Sequence, residues 1–561
     1  MSDAASKRYR AENKIRFVTA TTLFDGHDAS INIFRRILQS LGAEVIHLGH
    51  SRSGIDIVDA AIEEDAHAIA VTSYQGGHME FYKYLHDLLA ERDSTHIRIF
   101  GGGGGTILPA EGEELQKQGI TRIYSPDDGR QMSLVGMVED MLSRSDFPRG
   151  QIAEDFDLSS LRADRPPVVA ELISAAENYP DKYPDILDEV ERRAAESSAP
   201  VIGITGTGGS GKSSLVDEMV RRLLLDFADL RLAIISVDPS KRKTGGALLG
   251  DRIRMNTLPH PRAYMRSLAT RQSNLALSPH VQHAVNIVKA AGFDLVLLET
   301  SGIGQSDTEI VDFSDLAMYV MTPEYGAATQ LEKIDMLDFA DLVAINKADK
   351  QGAQDALRDV RKQYKRNSMR FDAADEELPI YLTVASDFND PGTNRFYMSL
   401  VEALGQHGFE RVSTLDIPLE DAVKQHVVPP ERVRYLAEIV DEVRRYNQWA
   451  KDQAEAADLL YRLVGAAVGT DADLTEATAD ARAQLDSANL HALEHWDGML
   501  AEFAGDEFVY HVRGREISVP LHHETLSHTR VPRVATPRYR SWGDRLEWLL
   551  QENVPGEFPY A

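Results

Sequence analysis

The run from Gly206 to Ser213, Gly-Thr-Gly-Gly-Ser-Gly-Lys-Ser, has the residue types and spacing of a phosphate cradle. Its glycines let successive backbone N–H groups converge on phosphate oxygens, and a helix opening at its end adds favourable potential there. In the pattern G-x-x-x-x-G-K-S, Lys212 is placed to reach the β- and γ-phosphates and the Ser213 hydroxyl to ligate Mg²⁺. Gly206, Gly208, Gly209, Ser210, Gly211 and Ser214 fill out the predicted cradle. Two carboxylates close apolar runs further along. Asp238, in Ser-Val-Asp-Pro-Ser, is placed to support the metal directly or through water. Glu299, in Leu-Leu-Glu-Thr-Ser-Gly-Ile-Gly-Gln, stands where a Walker-B and second-switch carboxylate is expected. Gly302 and Gly304 after it free that loop to move when a γ-phosphate leaves. Lys212 and Glu299 are the predicted catalytic residues.

Asn346-Lys347-Ala348-Asp349 follows another apolar run. An aspartate there can accept from the ring N–H and the exocyclic amine of guanine, whereas adenine offers no matching pair of donors. A buried carboxylate left unpaired is costly, so the pairing discriminates strongly. Asn346, Lys347 and Asp349, with Ala385 after the next apolar run, are the predicted base-reading residues, and GTP rather than ATP is the expected nucleotide.

A second constellation lies near the N-terminus. Asp25-Gly26-His27-Asp28, Thr72-Ser73-Tyr74-Gln75-Gly76-Gly77-His78 and the five glycines at 101–105 each follow a candidate strand. A histidine with a carboxylate two residues before it suits a metal-ligating imidazole whose other nitrogen is oriented by Asp25. Consecutive glycines leave a bare backbone that a large flat or elongated ligand can approach closely. The residue chemistry therefore points to a metal-bearing or large ligand at His27.

The elements that must position these groups are legible as strand–helix alternation. Candidate strands are Ile15–Ala20, Glu44–Leu48, His67–Thr72, His96–Phe100 and Thr121–Tyr124. Ile31, Phe34, Ile37, Leu38 and Leu41, and then Tyr82, Leu85, Leu88 and Leu89, fall at helical spacing between them. That is a doubly wound, flavodoxin-like α/β sheet, whose strand order 2-1-3-4-5 puts a ligand crevice between strands one and three, where all three unusual loops meet. A second α/β domain has strand candidates Val201–Thr205, Leu232–Val237, Leu295–Glu299, Leu316–Met321, Leu342–Asn346 and Ile380–Val384. Beyond it Val433, Leu436, Ile439, Val440, Val443 and Tyr446 form one apolar helical face. Predicted boundaries are 1–145 for the first domain, 146–199 for linker helices, 200–415 for the P-loop domain, 416–520 for a helical linker domain and 521–561 for the opening of a further domain. The final Pro-Gly-Glu-Phe-Pro-Tyr run predicts a polypeptide that continues past Ala561.

Composition narrows the class. With 561 residues the chain exceeds one ordinary core. A formal charge of −28 argues against a nucleic-acid-binding role, because a polyanion repels phosphate backbones. Zero cysteines exclude disulfides, thiolate metal sites and cysteine nucleophiles. Nowhere do about 18 apolar residues run together, so no membrane span is expected. The reading is a soluble, cytoplasmic protein.

The first domain resembles the cobalamin-binding domain of adenosylcobalamin-dependent mutases, with the signature D-x-H-x-x-G, then S-x-L, then G-G. Asp25 and His27 match it, and the resemblance implies that His27 is the lower ligand of cobalt. Thr72 and Ser73 stand at the S-x-L motif, and Gly101 and Gly102 match the glycine pair. Two departures are Ser30 in place of the third motif glycine and Thr72-Ser73-Tyr74 in place of S-x-L. The P-loop domain resembles the MeaB-type G-protein chaperones of acyl-CoA mutases through Ser236–Met255, Glu299–Asp307 and the nucleotide motifs, which implies that Asp251 joins Ser213, Asp238 and Glu299 at the Mg²⁺ site.

The domain order resembles the family of fused isobutyryl-CoA mutases, in which the last segment opens a substrate-binding (β/α)₈ barrel. The implied activity of such a protein is adenosylcobalamin-dependent radical isomerisation of isobutyryl-CoA to n-butyryl-CoA, with GTP hydrolysis gating cobalamin loading and release. This chain alone is expected to bind cobalamin and hydrolyse GTP, with acyl-CoA bound only through the barrel. A homodimer and an adenosyltransferase donating the cofactor are the implied partners. The alternative reading is a stand-alone cobalamin carrier and GTPase chaperone serving a separately encoded mutase.

Overall fold

The computed structural model of the chain describes residues 9–153, 156–241, 244–271, 280–300, 307–326, 331, 334–419, 435–512, 515–534 and 536–551. Contacts divide the chain into two units, residues 1–422 and 423–561.

The first unit holds both α/β sheets. It opens with β1 (Arg16–Thr22), α1 (Ala29–Ser40), β2 (Glu44–Arg52), α2 (Gly54–Glu63), β3 (Ala68–Thr72), α3 (His78–Glu91), β4 (Arg98–Gly102), α4 (Pro109–Lys117), β5 (Arg122–Tyr124) and α5 (Pro126–Arg144). Every residue of β1 and β3 is buried, as expected for parallel strands covered by helices on both faces. The apolar spacing in α3 puts Tyr82, Leu85, Leu88 and Leu89 into one core with Val18, Ile46 and Ile69. Ser53 caps α2 by accepting from Asp56 N–H at 3.1 Å. The strands run in the order β5-β4-β3-β1-β2, the predicted flavodoxin-like order.

Helices α6 (Pro166–Asn178) and α7 (Pro184–Ala195) follow, then β6 (Val201–Gly206), α8 (Lys212–Asp226), β7 (Leu232–Asp238), β8 (Ala247–Leu249), β9 (Ala263–Ala269), α9 (Val281–Ala290), β10 (Leu295–Thr300), β11 (Leu316–Met321), β12 (Leu342–Asn346) and β13 (Ile380–Thr383). The second sheet has the order β13-β12-β11-β6-β10-β7-β9 and is parallel throughout. Val169, Leu172 and Ile173 of α6 and Leu187 and Val190 of α7 are buried in the same core as Val201, Val296 and Val343, so these helices cover one face of this sheet.

Two strands differ from the sequence expectation. β9 reads Ala-Tyr-Met-Arg-Ser-Leu-Ala, and its buried Arg266 and Ser267 break the apolar run that marks a strand. β8 is only three residues long, and it joins the first sheet, pairing in parallel with β2 outside the predicted five strands.

The two sheets are also joined by buried ions. Arg16 on β1 meets Glu44 on β2 at 2.8 Å, and Glu64 and Glu177 at 3.5 Å. Glu177 on α6 meets Arg266 on β9 at 2.6 Å, and Arg271 meets Glu44 at 2.9 Å.

In the second unit the helix Tyr435–Gly469 packs against Trp542–Gln551, with Ala457, Leu460, Leu485, Leu493 and Leu546 in its core. Two antiparallel hairpins pair Glu507–Val512 with Arg515–Pro520 and His522–Glu524 with Arg530–Pro532. The predicted apolar face is exposed at Leu436, Ile439, Val440, Val443 and Tyr446, and Val433 lies outside the described residues.

Replacing Glu177 by Ala leaves buried Arg266 and Arg16 without a shared carboxylate. Removing one partner of a buried ion pair costs about 3–5 kcal/mol, so calorimetry should show a thermal midpoint several degrees lower. An unchanged midpoint would show that the network does not hold the sheets.

Candidate functional site

The P-loop joins the end of β6, the central strand, to α8. Glycine is required at two of its positions. Gly206 has φ +147°, and a Cβ there would stand 1.9 Å from the Val320 carbonyl oxygen. Gly211 has φ +87°, and its Cβ would meet Asn346 Nδ2 at 2.5 Å. Gly208 and Gly209 lie exposed at the tip, and Ser214 is exposed on the first turn of α8. Lys212 Nζ folds back and donates to the Gly206 carbonyl at 2.9 Å.

Below the loop, groups from four segments converge. Ser213 Oγ stands 3.0 Å from Asp251 Oδ1 and 2.9 Å from Glu299 Oε1, so its one proton serves one carboxylate at a time. Ser236 Oγ donates to Asp251 Oδ2 at 2.7 Å, and Asp238 Oδ2 accepts from Gly250 N–H at 2.9 Å. Burial, and then the charge of Asp251, push the carboxyls of Glu299 and Asp238 well above the ordinary carboxylate range. Glu299 Oε2, Thr207 Oγ1 and Ser210 Oγ are buried without hydrogen-bond partners. Crowded acids and orphaned polar atoms fit a cation and phosphate oxygens. Among the described residues no three acidic, imidazole or thiol groups form a closed cage.

Asn346 ties the cradle to the base loop. Its Nδ2 donates to the Ser210 carbonyl at 2.8 Å, and its Oδ1 accepts from Ala385 N–H at 3.1 Å. Lys347, at φ +59°, donates to the Gly209 carbonyl at 2.8 Å. Asp349 is exposed on the turn that follows β12, open to a base.

In the first sheet Asp25 is buried and its carboxylate is fully engaged. Oδ1 accepts from His27 N–H at 2.9 Å and from His27 Nδ1 at 2.8 Å, and Oδ2 accepts from Tyr74 N–H at 2.6 Å. Burial alone would raise this carboxyl, but those hydrogen bonds hold it below its usual value. The His27 side chain is 76% exposed, so Nε2 is presented to solvent while Nδ1 is held by the carboxylate. Beside it lies a cavity of ≈ 290 Å³ walled by Ile31, Phe34, Phe100, Tyr124, Met137 and Met141, with Gly101–Gly104 along one side. Thr72 Oγ1, buried and without a partner, belongs to the lining. An exposed histidine oriented by a carboxylate, beside an apolar slot with one orphaned hydroxyl, fits a metal complex carrying a bulky apolar arm.

Ser73 differs from its twin hydroxyl. It accepts from Thr22 Oγ1 at 3.1 Å, is fully buried, and is not part of the cavity lining. The glycine run also serves the fold as well as a ligand: a Cβ on Gly101 would stand 2.5 Å from Tyr82 Cζ, and one on Gly103 would stand 1.9 Å from the Ser73 carbonyl oxygen.

The family described as B12 binding domain matches residues 15–126, and the one described as Methylmalonyl Co-A mutase-associated GTPase MeaB matches residues 170–394. The fused isobutyryl-CoA mutase of Geobacillus kaustophilus is 50% identical over 569 residues, 99% of this chain and 52% of that protein. The one from Cupriavidus metallidurans is 50% identical over 559 residues, 98% of this chain and 51% of that protein. Nearly the whole chain is thus similar to part of the fused isobutyryl-CoA mutases. It spans about half the length of these curated relatives. A putative GTPase of Pyrococcus horikoshii is 38% identical over 186 residues, 33% of this chain and 57% of that protein.

Set against the mutase signature, the two departures touch each other. Ser30 Oγ lies 2.5 Å from Tyr74 Oη, and the Tyr74 ring is 5.5 Å from His27. The residue that replaces the motif glycine thus bonds the residue that replaces the motif leucine, at the mouth of the cavity. The sequence reading missed this pair, although both positions stood out as departures. It also missed Met137 and Met141, which face the slot after α5 kinks at Ser133 (φ 63°, ψ 168°).

His27→Ala should abolish the absorption spectrum of histidine-ligated cobalamin. Asp25→Asn should keep that ligation but weaken it by about 10- to 100-fold, read by spectral titration. An unchanged spectrum in His27→Ala would place the ligand elsewhere.

Proposed function

We propose that this chain is the cofactor-handling part of an adenosylcobalamin-dependent isobutyryl-CoA mutase, holding cobalamin at His27 and hydrolysing GTP to gate its loading and release. The observation that carries this reading is the presence in one unit of an aspartate-oriented, solvent-facing histidine and a P-loop over buried acids.

Asp25 fixes the tautomer of His27, and the apolar slot excludes water from a bound arm. When bound, adenosylcobalamin supplies the radical chemistry that rearranges isobutyryl-CoA to n-butyryl-CoA. That rearrangement is proposed for a protein of the relatives' length; this chain alone is proposed to bind cobalamin and hydrolyse GTP.

At the other site the P-loop N–H groups and Lys212 meet the β- and γ-phosphates. Ser213, Asp238, Asp251 and Glu299 would hold Mg²⁺, which would supply charge neutralisation at the phosphates. Lys212 and Glu299 remain the proposed catalytic residues, Asp349 reads guanine, and the Asn346 bridge sets the span from base to phosphate. A homodimer, an adenosyltransferase as cofactor donor, a chaperone role and a cytoplasmic setting belong to the same reading, supported by the resemblance to the mutases and MeaB. No helix among the described residues is long and apolar enough to cross a membrane.

Phosphate release should show GTP turnover by the chain, lost on chelation of Mg²⁺ and in Lys212→Ala. Asp349→Asn should shift nucleotide preference from guanine to xanthine by at least about 2 kcal/mol, one charged hydrogen bond's worth. Unaltered GTP affinity in that variant would remove Asp349 from base reading, and turnover of isobutyryl-CoA by residues 1–561 alone would contradict the division of labour.

A further inference from the structure

The segment between the two metal-flanking aspartates, Asp238 and Asp251, does not serve the nucleotide sheet alone. Its middle is β8, whose Ala247, Leu248 and Leu249 pair in parallel with Glu44, Val45 and Ile46 at the edge of the cobalamin-binding sheet. Ala247 N–H donates to the Ala43 carbonyl at 3.2 Å, and Thr244 Oγ1 donates to the Gln39 carbonyl at 3.2 Å. The approach is tight: a Cβ on Gly246 would stand 2.2 Å from the Gln39 carbonyl oxygen.

After β8 comes Gly250, whose N–H holds Asp238, then Asp251 facing Ser213, then Arg252. The buried Arg252 guanidinium bonds Glu63 and, at 3.2 Å, Glu64 Oε1, both at the end of α2; it also donates to the Met265 carbonyl at 3.0 Å. Glu64 accepts in addition from Ser267 N–H at 3.0 Å and Ser267 Oγ at 2.8 Å. The Asp251 turn is therefore fastened to the cobalamin-binding domain before it, by strand pairing, and after it, by an ion pair.

We propose that the cobalamin-binding domain completes the Mg²⁺ site of the nucleotide domain, with β8 pairing and the Arg252–Glu63–Glu64 clamp as the positioning elements for Asp238 and Asp251. The inference rests on the reading of that site as a Mg²⁺–GTP site and adds the groups that hold its ligands in place. Outer groups that orient metal ligands govern affinity although they never touch the metal. The same strand reaches the other site. Past its pairing with β8, β2 runs on to Ser51, whose N–H donates to the Asp25 carbonyl at 3.2 Å; Thr21 Oγ1 donates to that carbonyl at 2.7 Å. One strand thus supports both the metal turn and the loop that orients His27.

A purely structural seam would cost stability without changing the metal affinity of the folded protein. Mg²⁺ binding to the GDP complex of the whole chain is read by titration calorimetry, apart from turnover. Glu64→Gln is expected to weaken Mg²⁺ by about 10- to 100-fold, with GDP affinity in EDTA unchanged. Gly246→Ala, which leaves every charge in place and displaces β8 from Gln39, is expected to do the same, and Arg252→Lys to lose less than Arg252→Ala. Unchanged Mg²⁺ affinity in Gly246→Ala overturns the inference, as does a parallel loss of GDP binding, which marks general loss of structure. An unaltered chain that binds no guanine nucleotide overturns the functional reading, and the inference falls with it.

Discussion

Arginine and glutamate side chains withdrawn from water where the two parallel sheets meet constrain everything else in the first unit. A buried guanidinium or carboxylate costs several kcal/mol unless its partners are already in place. Arg16, Glu44, Glu64, Glu177, Arg252 and Arg266 are all buried, and they come from both sheets and from the helices on them. Burial alone would raise the Glu44 carboxyl, yet Arg271 and Arg16 outweigh it and hold Glu44 far below the usual range. Such a network tolerates little relative movement, because shifting one sheet strands charges contributed by the other.

That rigidity has a use at both sites. The nucleotide cradle is set by hard sterics, the missing Cβ atoms of Gly206 and Gly211, but the acids beneath it come from segments that need outside support. Glu299 has its strand, β10, between β6 and β7. Asp238 and Asp251 sit at the two ends of the stretch containing β8, and that stretch is held by the other sheet. The cobalamin loop depends on the same edge, since Asp25 is braced by β2 as well as by Tyr74. In the proposed reading a γ-phosphate would act on a segment whose position both sheets share, so that the two sites have one structural element in common.

Much of this was legible in the sequence. The strand order, the meeting of the loops after β1 and β3, the approach of Ser213 to Glu299 and the Asp25–His27 bond follow from short motifs with fixed local geometry. Asp251 was reached only through the resemblance, and the cavity itself lies against β3, β4 and β5 rather than between β1 and β3. Loop motifs at the ends of apolar strands carry their own coordinates, so their placement needs little tertiary information. What escaped was tertiary in origin. β8 is three residues long and owes its strand form to the free edge of β2, and β9 hides a buried arginine whose partners are remote in sequence. Ser30 and Tyr74 could be seen to depart from a pattern, but not to bond each other, because 44 residues separate them. The cavity wall at Met137 and Met141 depends on a kink at Ser133 that no residue pattern announces.

The claim on which the account turns is that guanine nucleotide and cobalamin speak to each other through one chain. Affinity for adenosylcobalamin, measured by spectral titration of the whole chain with GDP and then with a non-hydrolysable GTP analogue, tests it directly. Coupling of the usual 1–3 kcal/mol predicts affinities that differ by about 5- to 150-fold between the two nucleotide states, with cobalamin shifting analogue affinity by the same factor. Identical affinities in both states, with both ligands bound, would show two independent sites and contradict the account.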